Sequence, residues 1–333
     1  MLFFESFLGH YISQVIFYSL VTTIVVGSLL AIWHIREPLL QIEFRFLILL
    51  LPILYPLLYY LIYPTRNSPH FRQQVALIDL NSWLGLDLGG NIALWHLFVA
   101  MLAVTIGVVL AKEAVPGIKH YLGNSSSFSV ITKGQFPKLD EVLANIPGLK
   151  VIPAPRILLS PEDVPTAYSL SGKRLVISAS MINLLDSDEL QAVIEHEIAH
   201  LSRQLIWINR ALLTLRFLMF YNPIAFFVFY QINNDTEKLC DDIAIRSSGK
   251  RLSLTSGLLK IFRHSAAIPL QESTGKIRPE PRVAALKNVA CRNIVKERAE
   301  RIVRNDEANR IPYRNFRLTV TLVMLTGPLF FVT

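Results

Sequence analysis

Glu195-His196-Glu197-Ile198-Ala199-His200 decides how this chain is read. Histidines four residues apart on an α-helix share one face, about one turn from each other. Both imidazoles can therefore reach one metal ion. Glu197 stands beside them, where a carboxylate can take a proton from a water polarised by the metal. The preceding residues read as a helix start. Asp186 and Glu189 form a capping-box pair, and Asp188 adds negative charge to the first turn. Leu190, Val193, Ile194, Ile198 and Leu201 then recur at helical spacing. Chance alone would place the three fixed residues in about one chain in a hundred of this length, and the histidines would then be an ordinary satisfied pair.

Around this motif the chain is unusually apolar. Its 333 residues are 52% hydrophobic and carry a net charge of +8. Two cysteines, Cys240 and Cys291, make no disulfide framework and point to a reducing compartment for the part that carries them. No basic leader precedes the first apolar run, so no cleavable signal peptide is expected. Residues 11–33 contain no charge, and 46–63 and 92–111 follow as further apolar runs. Each is about long enough to cross a hydrocarbon core. A fourth run, 318–332, spans only a thin bilayer, even with Phe316 added. Any one of them alone reads equally as a core helix. Three before residue 112 predict membrane insertion.

Lys and Arg near the span ends set the orientation. Arg36 and Arg45 lie in the first connection, Lys112 and Lys119 follow the third span, and Arg310, Arg314 and Arg317 precede the fourth. The second connection, 64–91, balances Arg66 and Arg72 against Asp79 and Asp87. These place the N-terminus outside, residues 113–313 in the cytoplasm and the C-terminus outside. The basic pI then reflects orientation, and no direct nucleic-acid partner is called for. Arg292, Lys296, Arg298, Arg301 and Arg304 can bind anionic lipid, but read better as a solvated helix face.

Within 113–313, residues 123–127 read as a linker, and Asn124-Ser125-Ser126 as a glycosylation sequon unused in the cytoplasm. A helix is predicted over 138–146 and strands over 150–152, 156–159, 166–170 and 175–178. Ser171-Gly172-Lys173 turns the last two into a hairpin. An edge strand beside a metal site can hold an extended peptide. A plain structural hairpin explains the same residues equally well.

The run 205–232 is apolar again, interrupted by Arg210 and Arg216 and broken at Asn222-Pro223. One complete span would put His200 and Glu237 on opposite sides of the bilayer. Each half, at about fourteen residues, falls short of the roughly twenty a span needs. The prediction is a hairpin of two short helices dipping into the membrane and returning. Asn234 or Asp235 then caps a new helix on which Glu237 and Asp241 share a face. Glu237 can be a third metal ligand, and Asp241 can orient a ligating histidine through its free ring nitrogen. An acidic helix start is the alternative. Cys240 can serve as a soft ligand, but is read as pointing away from that face, a buried structural cysteine. Gly249 ends the helix, 268–281 is a loop, and a basic helix over about 291–304 leads back to the membrane.

Together these residues resemble the BlaR/MecR-type integral-membrane zinc peptidases, the antirepressors of β-lactam response systems. His196-Glu197-Ile198-Ala199-His200 carries part of the match. Tyr221-Asn222-Pro223, followed by Glu237-Lys238-Leu239-Cys240-Asp241, carries another part, and the order of elements the rest. The HtpX/CAAX-endopeptidase group is a near relative. The H-E-x-x-H is generic to zinc peptidases; the E-x-x-C-D is more particular. The resemblance implies a gluzincin-like fold, a bacterial cytoplasmic membrane, and cleavage of cytoplasmic or membrane-associated proteins, a transcriptional repressor among the possible substrates. Family antirepressors end in an extracellular penicillin-binding sensor. None follows the last apolar run here, so covalent β-lactam binding is not expected.

The expected architecture is predominantly α-helical. It has three spans over 1–112, a cytoplasmic gluzincin-like α+β peptidase domain over 113–313 with a re-entrant hairpin at about 205–232, and a fourth span over 314–333. The expected chemistry is a zinc metalloendopeptidase: Zn²⁺ on His196, His200 and Glu237, Glu197 as the general base, and Asp241 supporting a histidine. Tyr221 and His264 are candidates for stabilising the oxyanion. Regulated signalling proteolysis is the first role considered. Membrane-protein quality control and a non-catalytic receptor or scaffold are the alternatives, the last opposed by the intact Glu197. The sequence leaves the oligomeric state open.

Overall fold

The computed structural model describes residues 6–90, 92–111, 129–132, 134–146, 155–160, 164–170, 174–267, 293–304 and 313–333. It separates into two units. Met1–Asn124, Arg210–Asp235 and Ala308–Thr333 form the first, and Ser125–Asn209 with Thr236–Glu307 the second.

In the first unit, α1 (Phe7–Ile32) and α2 (Pro38–Ile62) are long and apolar enough to cross a membrane. After a 3₁₀ turn at Pro64–Asn67 come the short helices α3 (Pro69–Gln74) and α4 (Leu80–Leu84), then α5 (Leu94–Val109). All four predicted apolar runs fold as helices. Within the described residues α5 has 16 residues and the last helix, Arg314–Phe330, has 17, near the lower limit for a span. α2 begins eight residues before its predicted start because Pro38 opens it and its charges are paired. Glu43 meets Arg314, and Arg45 meets Asp235 and donates from Nε to Gln231 Oε1 at 3.1 Å.

The end of the Arg314–Phe330 helix is closed by Arg66, which is only 2% exposed. Its Nε donates to Phe330 O at 2.7 Å, and Nη2 donates to Tyr18 Oη at 2.6 Å, to Leu329 O and to Val332 O. The guanidinium also lies over the Tyr59 ring, 5.0 Å from its centroid. Carbonyls left over at a helix end need such donors, most of all where water is scarce. Ile78 bridges Val332, so this helix end lies against the 64–91 connection.

The break at Asn222-Pro223 is present. Asn222 Oδ1 accepts from Ile224 N at 3.0 Å, and its Nδ2 donates to Ser19 Oγ, midway along α1, at 2.8 Å. The predicted fresh helix start at Asn234 or Asp235 is corrected. Pro223–Ser248 is one unbroken helix of 26 residues. Asp235 is buried and its carboxylate faces Arg45, so it does not compete for backbone N–H groups. The second arm of the predicted hairpin is therefore not a short helix.

The second unit is built on a four-stranded sheet: β1 (Ser129–Val130), β2 (Arg156–Ser160), β3 (Ala167–Leu170) and β4 (Arg174–Ser178) in the order β1-β2-β4-β3. β2 and β4 are parallel and the other pairs antiparallel. Three predicted strands are found to within a residue, and β1 was not anticipated. The predicted strand 150–152, the turn 171–173, the linker 123–127 and the loop 268–281 lie outside the described residues.

Around the sheet are α6 (Pro137–Ala144), α7 (Ala179–Leu184), α8 (Ser187–His200), α11 (Arg251–Ala267) and α12 (residues 293–303). α9 (Arg203–Leu218) and α10 (Pro223–Ser248) each run from one unit into the other, and α13 is Arg314–Phe330. Leu175 and Ile177 of β4, Leu139 and Val142 of α6, and Leu190 and Ile194 of α8 form one buried cluster, which fixes α8 on the sheet. Gly257 lets α11 approach α8 closely: a Cβ there would meet Val193 Cγ2 at 3.2 Å.

Candidate metal centre

α8 is held at both its start and its side. Asp186 Oδ1 accepts from Glu189 N at 2.8 Å and Glu189 Oε2 from Asp186 N at 3.0 Å, the reciprocal capping box read from the sequence. Glu189 also accepts from Ser256 Oγ and Lys260 Nζ of α11, each at 2.6 Å. The helix thus delivers His196 and His200 from its last turn with little freedom.

His196, His200 and Glu237 come together, with their candidate ligand atoms within 4.8 Å of one another. His196 Nε2 is 3.5 Å from Glu237 Oε2, and His200 Nε2 is 3.5 Å from Glu237 Oε1. Tetrahedral ligands at bond lengths of about 2.0–2.1 Å stand roughly 3.4 Å apart. Spacing and donor set, two imidazole nitrogens and one carboxylate, therefore fit a single metal ion.

Each histidine is held from behind by α10. His196 Nδ1 lies 3.0 Å from Asp241 Oδ1, and His200 Nδ1 lies 3.4 Å from Cys240 Sγ. Cys240 is buried as expected, but the direction read for it is corrected here. Residue 240 is three positions after Glu237 and so about 60° from it around the helix, close enough to serve the same cluster. Arg298 of α12 was also misread as part of a solvated face. It is 8% exposed, and its Nε and Nη2 donate to the two Asp241 oxygens at 2.9 and 2.7 Å. Its Nη1 lies 2.9 Å from Glu237 Oε2.

The charges follow from this arrangement. Burial alone would lower His196, but the Asp241 and Glu237 contacts outweigh it and lift it to about 9 in the metal-free protein. Burial would raise Asp241, but His196 and Arg298 hold it down at about 2. Glu237 is likewise lowered against its burial by His196 and Arg298. Burial and the neighbouring His196 lower His200. Burial raises Cys240, so it faces His200 as a neutral thiol. Glu197 is pushed up to about 7, chiefly by burial. Its carboxylate accepts from the backbone N–H of Ser169. Ser178 N donates to Thr166 O, and antiparallel alternation then turns the backbone groups of Ala167 and Ser169 away from β4, toward the open edge of the sheet. The base thus rests on the free edge of β3. Of the oxyanion candidates, His264 is exposed on α11 and Tyr221 belongs to the first unit.

Residues 139–285 match the BlaR1 peptidase M56 family. The chain is 23% identical over 210 residues to a "Protease HtpX homolog" of Gemmatimonas aurantiaca, covering 50% of this chain and 75% of that one. It is 32% identical over 78 residues to "Protease HtpX homolog 1" of Sulfolobus acidocaldarius, covering 22% and 25%. It is 33% identical over 110 residues to the "Plastoglobule-localized metallopeptidase 48, chloroplastic" of Arabidopsis thaliana, covering 28% and 32%. The matched segment carries the His196–His200–Glu237 cluster, so the part of the chain that holds the candidate metal centre is similar to the BlaR/HtpX-type membrane metallopeptidases.

Proposed function

We propose that this protein is a membrane-embedded zinc endopeptidase that cleaves cytoplasmic or membrane-associated proteins in regulated signalling. The observation that carries the reading is Glu197, beside the His196–His200–Glu237 cluster and bonded to the open edge of β3. His196, His200 and Glu237 hold the zinc, and Asp241 and Cys240 fix the two rings. A bound zinc supplies Lewis-acid polarisation of water and of the scissile carbonyl. An extended substrate pairs with the outward backbone groups of Ala167 and Ser169. Glu197 then exchanges the Ser169 amide for the attacking water, takes its proton and delivers it to the leaving amine. Its raised pKa suits both halves of that task.

The length and apolar character of α1 and α2 support membrane insertion, with the hairpin at Asn222 reaching part-way across. Its turn bonds Ser19, which divides α1 in half. The parallel run of α2 and α13, fixed by Glu43–Arg314 at one end and Tyr59 Oη on Thr326 O at the other, supports an outer 64–91 connection and an outer C-terminal end.

The test compares purified wild type, Glu197→Gln and Glu237→Ala. Glu197→Gln should retain zinc and lose cleavage, and Glu237→Ala should lose zinc occupancy. New N-termini present with wild type and missing with Glu197→Gln in cells would identify substrates. Proteolysis by Glu197→Gln at a near-normal rate would overturn the mechanism.

A further inference from the structure

Arg298 does more at this site than pair with a buried acid. Three successive contacts fix α12 along α10: Lys238 Nζ to Glu297 at 2.7 Å, Arg298 to Asp241, and Arg301 Nη2 to both Asp242 oxygens at 2.6 Å. Ile302 anchors the same helix in a cluster with Ala192, Ala244 and Leu254. The guanidinium is planar, and two of its nitrogens are committed to Asp241, so the direction of the third is set. That third nitrogen meets Glu237 Oε2 at 2.9 Å. Both Glu237 oxygens lie 3.5 Å from a histidine, Oε2 from His196 Nε2 and Oε1 from His200 Nε2, but only Oε2 is also engaged by the guanidinium.

A carboxylate with both oxygens free can chelate a cation and fill two coordination positions. A hydrolytic site with two histidines and one carboxylate needs a position left open for water. We propose that Arg298 is a positioning residue that occupies Glu237 Oε2, so that Glu237 offers the metal a single oxygen. Asp241 offsets the guanidinium charge, so a cation this near does not expel the metal. The inference rests on the metal-centre reading above.

The experiment uses the full chain in detergent, stripped with chelator and reloaded with Co²⁺. The visible ligand-field band per bound ion reports coordination number, being intense for four-coordinate cobalt and weaker at five or six. Wild type should bind one Co²⁺ with an intense band. Arg298→Met should still bind cobalt, with the band reduced severalfold. Arg298→Lys should show the same reduction, because one ammonium cannot fork onto Asp241 and also reach Glu237; it decides the matter if the Met variant does not fold. A wild-type band intensity in a cobalt-loaded variant overturns the proposal, and so does a weak band in wild type. Failure of wild type to bind cobalt or zinc overturns the metal-centre reading itself.

Discussion

Cys240 and Asp241 are adjacent in sequence, yet each serves a different histidine. The thiol is the weaker partner, so Cys240→Ala should loosen His200 without unfolding α10. Zinc affinity should fall by about 10- to 100-fold, the usual cost of losing an outer partner of a ligating histidine. Cys240→Ser should restore part of it. Competition with a chromophoric chelator measures this, and equal affinity in wild type and Cys240→Ala would show that the contact does not orient the ring. The metal-free site should also make stability depend on pH. His196, raised to about 9, stabilises the fold while protonated, fully below its ordinary value and progressively less as pH climbs to 9. Glu197, raised to about 7, acts in the same direction, because the folded state holds its proton more tightly than the unfolded state does. Stripped protein should therefore lose on the order of 3 kcal/mol between about pH 6 and pH 9. Zinc-loaded protein should lack this slope, because ligating histidines are neutral. Thermal melts of both forms across that range check it, and a flat profile for stripped protein would count against the His196–Asp241 contact. His196, Glu197, His200, Glu237 and Asp241 were legible because fixed spacings on one helix translate directly into a shared face. Arg298 was not, because its charge outweighed its position. Ile294, Arg298 and Ile302 recur every four residues, and that stripe faces the core.

At the scale of elements, α8 was the best-marked part of the chain, and its start is the place to perturb it. Asp186→Ala should cost about 1 kcal/mol, the usual loss for an N-cap. Glu189→Ala should cost more, since the same carboxylate also binds Ser256 and Lys260 from a buried position. Denaturant titration of the two variants ranks them, and the reverse order would mean that the cap outweighs the α8–α11 contacts. The strands beside α8 were legible from their β-branched and aliphatic runs and the turn between them. Two elements were not. β1 is two residues long and is defined by its neighbour β2 rather than by any pattern of its own. α10 was cut short at Asn234-Asp235, residues that favour helix starts when their side chains are free. Here Arg45, 190 positions earlier in the chain, takes the Asp235 carboxylate, and no local pattern can reveal such a partner.

For the molecule as a whole, the apolar runs foretold the helices, while the polar contacts between them came only with the structure. Arg66 was counted among the charges of a balanced connection. It is instead the buried closure of α13, stacked on Tyr59. Arg66→Met keeps the bulk and removes the donors, leaving carbonyls at Leu329, Phe330 and Val332 short of partners. The loss should be at least about 3 kcal/mol, at roughly 1–3 kcal/mol for each buried acceptor left without a donor. A fall in melting temperature in detergent, with zinc stoichiometry intact, is the expected result. The proposed re-entrant placement makes a separate demand. A cysteine at Asn222 should resist a membrane-impermeant thiol reagent added from outside, while one at Ser82 should react. Labelling at 222 would show that the turn emerges on the far side.

The contacts of that turn also bear on how the protein is made. Ser19 and Arg45 leave the ribosome early, yet their partners, Asn222 and Asp235, follow 203 and 190 residues later. Until then Arg45 has Gln41 of its own helix but lacks the carboxylate that answers its charge in the folded protein, an arrangement that is costly near a bilayer. A nascent chain stalled before residue 222 should therefore remain bound to the insertion machinery or to a chaperone, and the helix pair should settle only when the second hairpin arm has been translated. Contacts so distant in sequence form slowly. The contacts of Asn222 and Asp235 within the first unit would thus be among the last to form.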